Sequence, residues 1–202
     1  DESRLHKQAF WTIDPLDGTQ YFIEGKDGYA TSIALVSQDG RPILGVVYDP
    51  ANDDLYESVV GQGVRLNGEP LRVTQDQAEH CERTTWFADR SLRNHPNIEA
   101  LQSQFDIKYI GGAVINMLQL LTKPNSCYCK APKKELGGCA IWDLAAVTLM
   151  LEEFTGFVGF YDGSPLHLNR KESIFFNDRG FAFTSADMEI EPLLDRIKTL
   201  AS

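Results

Sequence analysis

The sequence predicts a layered α/β fold, and three observations carry that expectation. Up to Leu71 the chain runs in short apolar–polar alternations separated by turn residues, the pattern of an antiparallel sheet. From Thr84 onward short β-rich runs alternate with helical segments. Across the 202 residues, 43% are apolar and 24% charged, which supports one substantial core in a globular protein. On this reading residues 1–80 form an incomplete N-terminal α+β part and residues 81–202 a C-terminal α/β part of one domain.

Phe10–Ile13 reads as a short strand that runs into the turn Asp14-Pro15-Leu16-Asp17-Gly18-Thr19. Tyr29–Ser37 and Ile43–Tyr48 are strands joined through QDGRP, and Leu55–Val60 follows. The segment GQGVRLNGEPLRV reads as a hairpin turning at Asn67-Gly68. Thr84–Asp89 is a strand, and Pro96–Phe105 a helix capped by Asn94 or His95. Ile107–Ile110 is a strand, and Ala113–Leu121 a helix after the Gly111-Gly112 break. Ser126–Lys130 is strand-like, and Ile141–Phe154 an amphipathic helix. Phe157–Tyr161 and Phe181–Thr184 return to strand before a last helix, Glu191–Leu200.

Charge and composition exclude several classes of function. A net charge of −10 opposes general nucleic-acid binding, which needs a basic face. Asp143, Glu152 and Glu153 interrupt the longest apolar stretch, so no membrane span is expected. Cys81, Cys127, Cys129 and Cys139 form no C-x2-C pair, and no histidine sits close to the Cys127, Cys129 and Cys139 group. They read as buried, reduced thiols of a cytoplasmic protein. His6, His80, His95 and His167 lack zinc spacing, and Ser32, Ser37 and Ser164 lack a nucleophile context. The chain opens on Asp1 rather than Met and reads as a fragment or processed chain, so an upstream targeting segment stays outside this expectation.

The opening motif carries the chemistry. Asp14 and Asp17 come from one short turn braced by Pro15, and two close carboxylates repel and resist desolvation. A divalent cation with hard oxygen ligands, such as Mg²⁺, resolves that conflict. The alternative is an Asx-type turn with two solvated aspartates. The Gly18 and Thr19 amides, opening the next helical turn, are candidates for a phosphate oxygen. Asp143 starts the Ile141–Phe154 helix, where it is either a charge on the helix dipole or a third carboxylate of the site.

WTIDPLDGT and IWDLAAVTLMLEEFTG closely resemble the two signature segments of the inositol monophosphatase superfamily. YATSIALVSQDGRPILGVVYDP, GQGVRLNGEPLRV, GGAVINM and YDGSPLHLNR follow in the family's order, so the resemblance spans nearly the whole chain. It implies an αβαβα sandwich of the inositol monophosphatase and fructose-1,6-bisphosphatase type, and a Mg²⁺-dependent, lithium-sensitive phosphomonoesterase that uses two or three ions. By that resemblance Asp14, Asp17 and Asp143 are metal ligands, with the Leu16 carbonyl. Asp1 and Glu2 occupy the acidic loop, as ligand and water-activating groups. Thr19 and Asp17 join Asp1 in catalysis, Gly18 and Thr19 contact phosphate, and Gly112, Ala113 and Lys130 contact substrate.

Three departures from the family pattern stand out. The helices that precede the acidic loop, the family's first layer, are absent from this sequence. CYCKAPKKELGGCAIWD is a longer approach to the second signature, with Lys130 where inositol-specific members place a glutamate, and Lys133 and Lys134 near it. Gly156-Phe157 stands where the family favours paired glycines. The expected substrate is inositol monophosphate, cleaved by metal-activated water. Lys130 keeps open a 3′(2′),5′-bisphosphonucleotide or a sugar bisphosphate, and the truncated architecture a non-catalytic metal- or phosphate-binding module. The expected partner is a small-molecule phosphate, with no nucleic acid or membrane, and a homodimer as a further possibility.

Overall fold

The alternation in the N-terminal part builds a six-stranded antiparallel sheet in which chain order and spatial order coincide. A computed structural model describes residues 2–72, 83–135 and 137–201; Asp1, His80 and Cys81 lie outside them. The strands are β1 (Ala9–Asp17), β2 (Ala30–Ser37), β3 (Pro42–Asp49), β4 (Asp54–Val59), β5 (Val64–Leu66) and β6 (Glu69–Pro70). The β5–β6 hairpin turns at Asn67 (φ 52°) and Gly68 (φ 83°), the pair of positive φ values that a two-residue turn of this hand requires.

Three expectations are corrected here. β1 does not stop at Ile13; it runs on through Pro15 to Asp17, which is possible because β1 is an edge strand, where proline's missing N–H costs no ladder bond. The helix expected at Pro96–Phe105 is α2 (Ile98–Gln104), and its cap residue is Asn97 rather than Asn94 or His95. Ala113–Leu121 divides into α3 (Ala113–Leu118) and a 3₁₀ turn, Gln119–Leu121.

The second sheet has five strands: β7 (Thr85–Phe87), β8 (Asp106–Lys108), β9 (Ser126–Lys130), β10 (Val158–Phe160) and β11 (Phe181–Thr184). Their order is β10-β11-β9-β7-β8, and β7 runs parallel to both β8 and β9. Between the sheets lie α3 and α4 (Ile141–Glu153); α2 packs with α5 (Ile190–Ala201) on the far side of the second sheet. The layers are therefore sheet, helices, sheet, helices.

α4 is not amphipathic. Leu144, Ala145, Ala146, Val147 and Met150 are fully buried, because the helix has a sheet against one side and α3 with the second sheet against the other. A helix enclosed on all sides has no polar stripe to show. Its C-terminus closes with Gly156 N–H on Leu151 O (2.8 Å) and Thr155 N–H on Glu152 O (3.1 Å). That pattern needs a left-handed residue, and Thr155 (φ 61°) takes the place usually held by glycine.

The outer face of the first sheet carries an apolar ladder. Trp11 pairs with Leu35 and Leu35 with Leu44; Ile13 pairs with Ile33 and Ile33 with Val46. Trp11 and Ile13 are each 58% exposed, so no described helix seals this face. The inner face is closed so tightly that a Cβ on Gly45 would lie 2.9 Å from both Cα and O of Ala146 in α4. Backbone cannot withdraw as a flexible side chain does. Gly45→Ala should therefore destabilise the protein by about 1–3 kcal/mol and lower the thermal midpoint by several degrees. An unchanged midpoint in calorimetry would refute this contact.

Candidate metal centre

Asp14 and Asp17 are three residues apart on β1, and in a regular strand that spacing turns side chains to opposite faces. The strand is not regular there. Asp14 pairs with Ser32 and Asp17 with Ala30, so one extra residue has entered β1 between the two pairs. A bulge of this kind resets the parity and brings both carboxylates to one side. α4 brings up the third carboxylate, and one oxygen each from Asp14, Asp17 and Asp143 lies within 4.8 Å of the others.

Each carboxylate is aimed by a backbone N–H. Leu16 N–H donates to Asp14 Oδ1 (3.0 Å), Val114 N–H to Asp17 Oδ2 (2.9 Å), and Ala140 N–H to Asp143 Oδ2 (2.7 Å). The last bond spans the first turn of α4, so Asp143 both caps the helix and faces the site. Asp17 acts as a long-range cap for α3, whose own cap residue, Gly112, has no side chain to offer.

The close approach has a backbone cause. Gly112 N–H donates to Gly28 O (2.8 Å), which seams the first sheet's turn to the start of α3. Gly28 (φ 101°) and Gly18 (φ 76°) both use left-handed conformations in this seam. A Cβ on Gly112 would sit 2.3 Å from Asp17 Oδ2 and 2.6 Å from Gly18 N.

Electrostatics make the group costly without a cation. Burial pushes the Asp17 carboxyl up to about 6; the Val114 N–H opposes this and the Asp14 charge adds to it. Asp143 also lies above the ordinary carboxylate range, through burial first, with the Ala140 N–H opposing and Asp14 and Asp17 adding. A cluster of three hard oxygen ligands, two of them raised in this way, suits a divalent cation, whose charge takes the protons' place.

The three carboxylates line an open cavity of about 460 Å³ together with Leu16, Gly18, Thr19, Gly112, Ala113 and Lys130. Thr19 Oγ1 donates its proton to Leu16 O (2.9 Å). Lys130 is not free: its ammonium is paired with Asp89. Glu2 is exposed on a 3₁₀ turn, Glu2–His6, and is not one of the three clustered carboxylates. Asp1, its expected companion, lies outside the described residues. Cys127, Cys129 and Cys139 are free and buried, as expected, and Cys139 also lines the cavity.

Sequence reasoning missed Asp89, Arg90, Ser91 and Tyr128, which complete the wall. Arg90 pairs with Glu24, with Nη2 2.8 Å from Oε2, and lies 4.2 Å from the centre of the Tyr21 ring. The one available signal was position: Asp89 follows the carboxyl end of β7, where parallel strands present ligand-binding groups.

A profile of the inositol monophosphatase family matches residues 1–189. The chain is 31% identical over 167 residues to the Nus factor SuhB of Pasteurella multocida, covering 78% of this chain and 59% of the relative. It is 31% identical over 165 residues to the inositol-1-monophosphatase of Synechocystis, covering 79% and 55%. To the 3′(2′),5′-bisphosphate nucleotidase CysQ of Aggregatibacter actinomycetemcomitans it is 26% identical over 170 residues, covering 82% and 61%. The matched region thus spans less than two thirds of each of these relatives. Among solved structures, the inositol monophosphatase of Anabaena superposes with a TM-score of 0.76 at 23% identity, over 97% of this chain and 76% of that one. That likeness concerns the fold: two sheets with helices between and beside them.

The site generates two expectations. Asp17 has a pKa raised from 3.8 to about 6, so the cation-free fold is most stable with Asp17 protonated. It should lose on the order of 3 kcal/mol as pH rises from ~4 through ~6 and the folded state is forced to ionise. Millimolar Mg²⁺ at pH 7 should restore the thermal midpoint, and Asp14→Asn should blunt that recovery. A midpoint indifferent to both pH and cation would count against the site. Separately, Gly112→Ala should displace Asp17 and abolish the Mg²⁺-induced rise in midpoint; a full rise in that variant would show the seam to be unimportant.

Proposed function

The chain belongs to the inositol monophosphatase family, and on that premise we propose that it is the metal- and phosphate-binding part of a Mg²⁺-dependent phosphomonoesterase acting on a small soluble phosphate ester, inositol monophosphate foremost. The observation that carries this reading is the convergence of Asp14, Asp17 and Asp143 in one cavity, each held by a backbone N–H. The inositol-1-monophosphatases among the relatives support the substrate class.

In this reading the three aspartates, with the Leu16 carbonyl, hold two or three Mg²⁺ ions. The ions, when bound, supply the charge that activates the attacking water and stabilises the departing oxygen. The chain's own groups position the reactants. The Thr19 hydroxyl has committed its proton to Leu16 O, so its remaining lone pairs accept from a water and turn that water's oxygen toward phosphorus. The Gly18 and Thr19 amides receive phosphoryl oxygens, and Gly112 and Ala113 line the cavity beside them. Water oxygen bonds to phosphorus as the bond from phosphorus to the ester oxygen breaks in line. The water gives up one proton to solvent and the leaving alkoxide takes one from solvent, so that the products are the free alcohol and inorganic phosphate. Lithium sensitivity is expected with the family's metal site.

Phosphate release from inositol 1-phosphate, measured with and without Mg²⁺ and Li⁺, tests the reading. Turnover should require Mg²⁺ and fall with Li⁺. Asp14→Asn and Asp143→Asn should each lower kcat/KM by at least about 100-fold, mainly through kcat. Failure of the protein to release phosphate from this ester with Mg²⁺ present would sink it.

A further inference from the structure

Asp89 and Lys130 meet for a topological reason. Trp86 on β7 is in register with Cys127 on β9, and the two strands are parallel. Asp89 and Lys130, each three residues further on, therefore come side by side at its carboxyl edge, Lys130 as the last residue of β9. The Asp89 carboxylate is fixed by its neighbours: Oδ1 accepts from the Ser91 N–H at 2.8 Å and from the Ser91 hydroxyl. Burial works against its charge, but Lys130 and Ser91 outweigh it and keep the carboxyl ionised. The Lys130 ammonium lies 5.9 Å from the centre of the Tyr128 ring, and Cys139 lines the same cavity.

This pair is a partition. Asp89, Ser91, Lys130 and Gly138 line the metal cavity and also a second cavity of about 280 Å³ behind it. The pair lines the same cavity as Asp14, Asp17 and Asp143, within which the leaving group of a phosphate held by that cluster must lie.

Its charge decides what it accepts. Among the described residues, the metal cavity is lined by two cations, and both are already paired: Arg90 with Glu24 and Lys130 with Asp89. A second phosphate approaching Lys130 meets the Asp89 carboxylate at the same time. Lys133 lines the adjoining cavity instead, and its exposed charge is screened by solvent. A vicinal diol has no such conflict, because each hydroxyl both donates and accepts: one hydroxyl donates to Asp89 while its neighbour accepts from Lys130.

We propose that the Asp89–Lys130 pair reads the leaving group, and that it selects an uncharged polyhydroxylated group against one carrying a second phosphate. The inference rests on the phosphomonoesterase reading above for the placement of the ester. It gives Lys130 a role opposite to that suggested by its position in the sequence, since its charge is spent on Asp89.

The test compares dissociation constants for non-hydrolysable phosphonate analogues of inositol 1-phosphate and of adenosine 3′,5′-bisphosphate, in the presence of Mg²⁺. The protein should favour the inositol analogue by about tenfold or more. Asp89→Asn keeps the acceptor for Ser91 and frees the lysine charge, so it should narrow that preference by about tenfold. Lys130→Gln keeps a donor but leaves Asp89 unopposed, and should widen it. These opposite shifts would not come from a merely structural pair. Equal or tighter binding of the bisphosphate analogue by the unaltered protein, or the same ratio in both variants, would overturn the proposal. Release of phosphate from p-nitrophenyl phosphate separates the two readings: opposite shifts without any release would support the reader and remove the hydrolase.

Discussion

One extra residue in β1 organises the site. Without the bulge between Asp14 and Asp17, the pleat would send one carboxylate into the layer between the sheets and the other into solvent. With it, both turn toward α4 and α3. The bulge is tolerated because β1 is an edge strand, and Pro15 sits where no partner strand needs its N–H. The Thr31 hydroxyl on β2 instead reaches across to Pro15 O (3.0 Å) and ties the distorted segment down. The glycine seam then brings α3 close enough for its N-terminal amides to hold Asp17, and Ser32 Oγ anchors the Trp142 carbonyl at the start of α4 (3.2 Å). Geometry at the cluster is thus inherited from backbone, not from flexible side chains.

The electrostatic arrangement follows the same logic. A cluster of three carboxylates in a chain of net charge −10 would be eased most simply by nearby lysines or arginines. Among the described residues, the two cations that line the cavity are instead committed to Glu24 and Asp89. The uncompensated negative charge is left for something that binds. Arg90 does structural work in the process, because its pairing with Glu24 and its place over Tyr21 fasten α1 (Thr19–Ile23) to the second half of the molecule.

The legible parts of the molecule are those set by local pattern. β2 and β3 are half-buried strands, so their alternation showed in the sequence, and the Asn67-Gly68 turn announced its hairpin. Asp14 and Asp17 stood out as a close acidic pair, but their spacing left other uses open. It was the resemblance of both signature segments that linked them with Asp143, with which the fold does bring them together. Features set by neighbours were not. α4 read as amphipathic, whereas its residues from Asp143 to Leu151 are all buried and its end reaches solvent at Glu152. The strand through Pro15 was hidden because edge position is a property of the sheet, not of the residue. Asp89 and Lys130 meet only through the parallel register of β7 and β9, and nothing local in either segment points to the other. Lys130 therefore looked like a free cation.

The seam also has a consequence for how the molecule comes into being. The bond that holds Asp17 joins residues 97 apart in the chain, and the one that anchors α4 joins residues 110 apart. In the unfolded chain Asp143 is far from Asp14 and Asp17, so the three-carboxylate geometry does not exist there. During synthesis that geometry is missing until α4 has emerged and docked. An ion bound by all three carboxylates would accordingly meet a nearly finished structure and could not act as a template for it. Its stabilisation would fall on the unfolding barrier, setting how long a completed molecule survives rather than how quickly one is made.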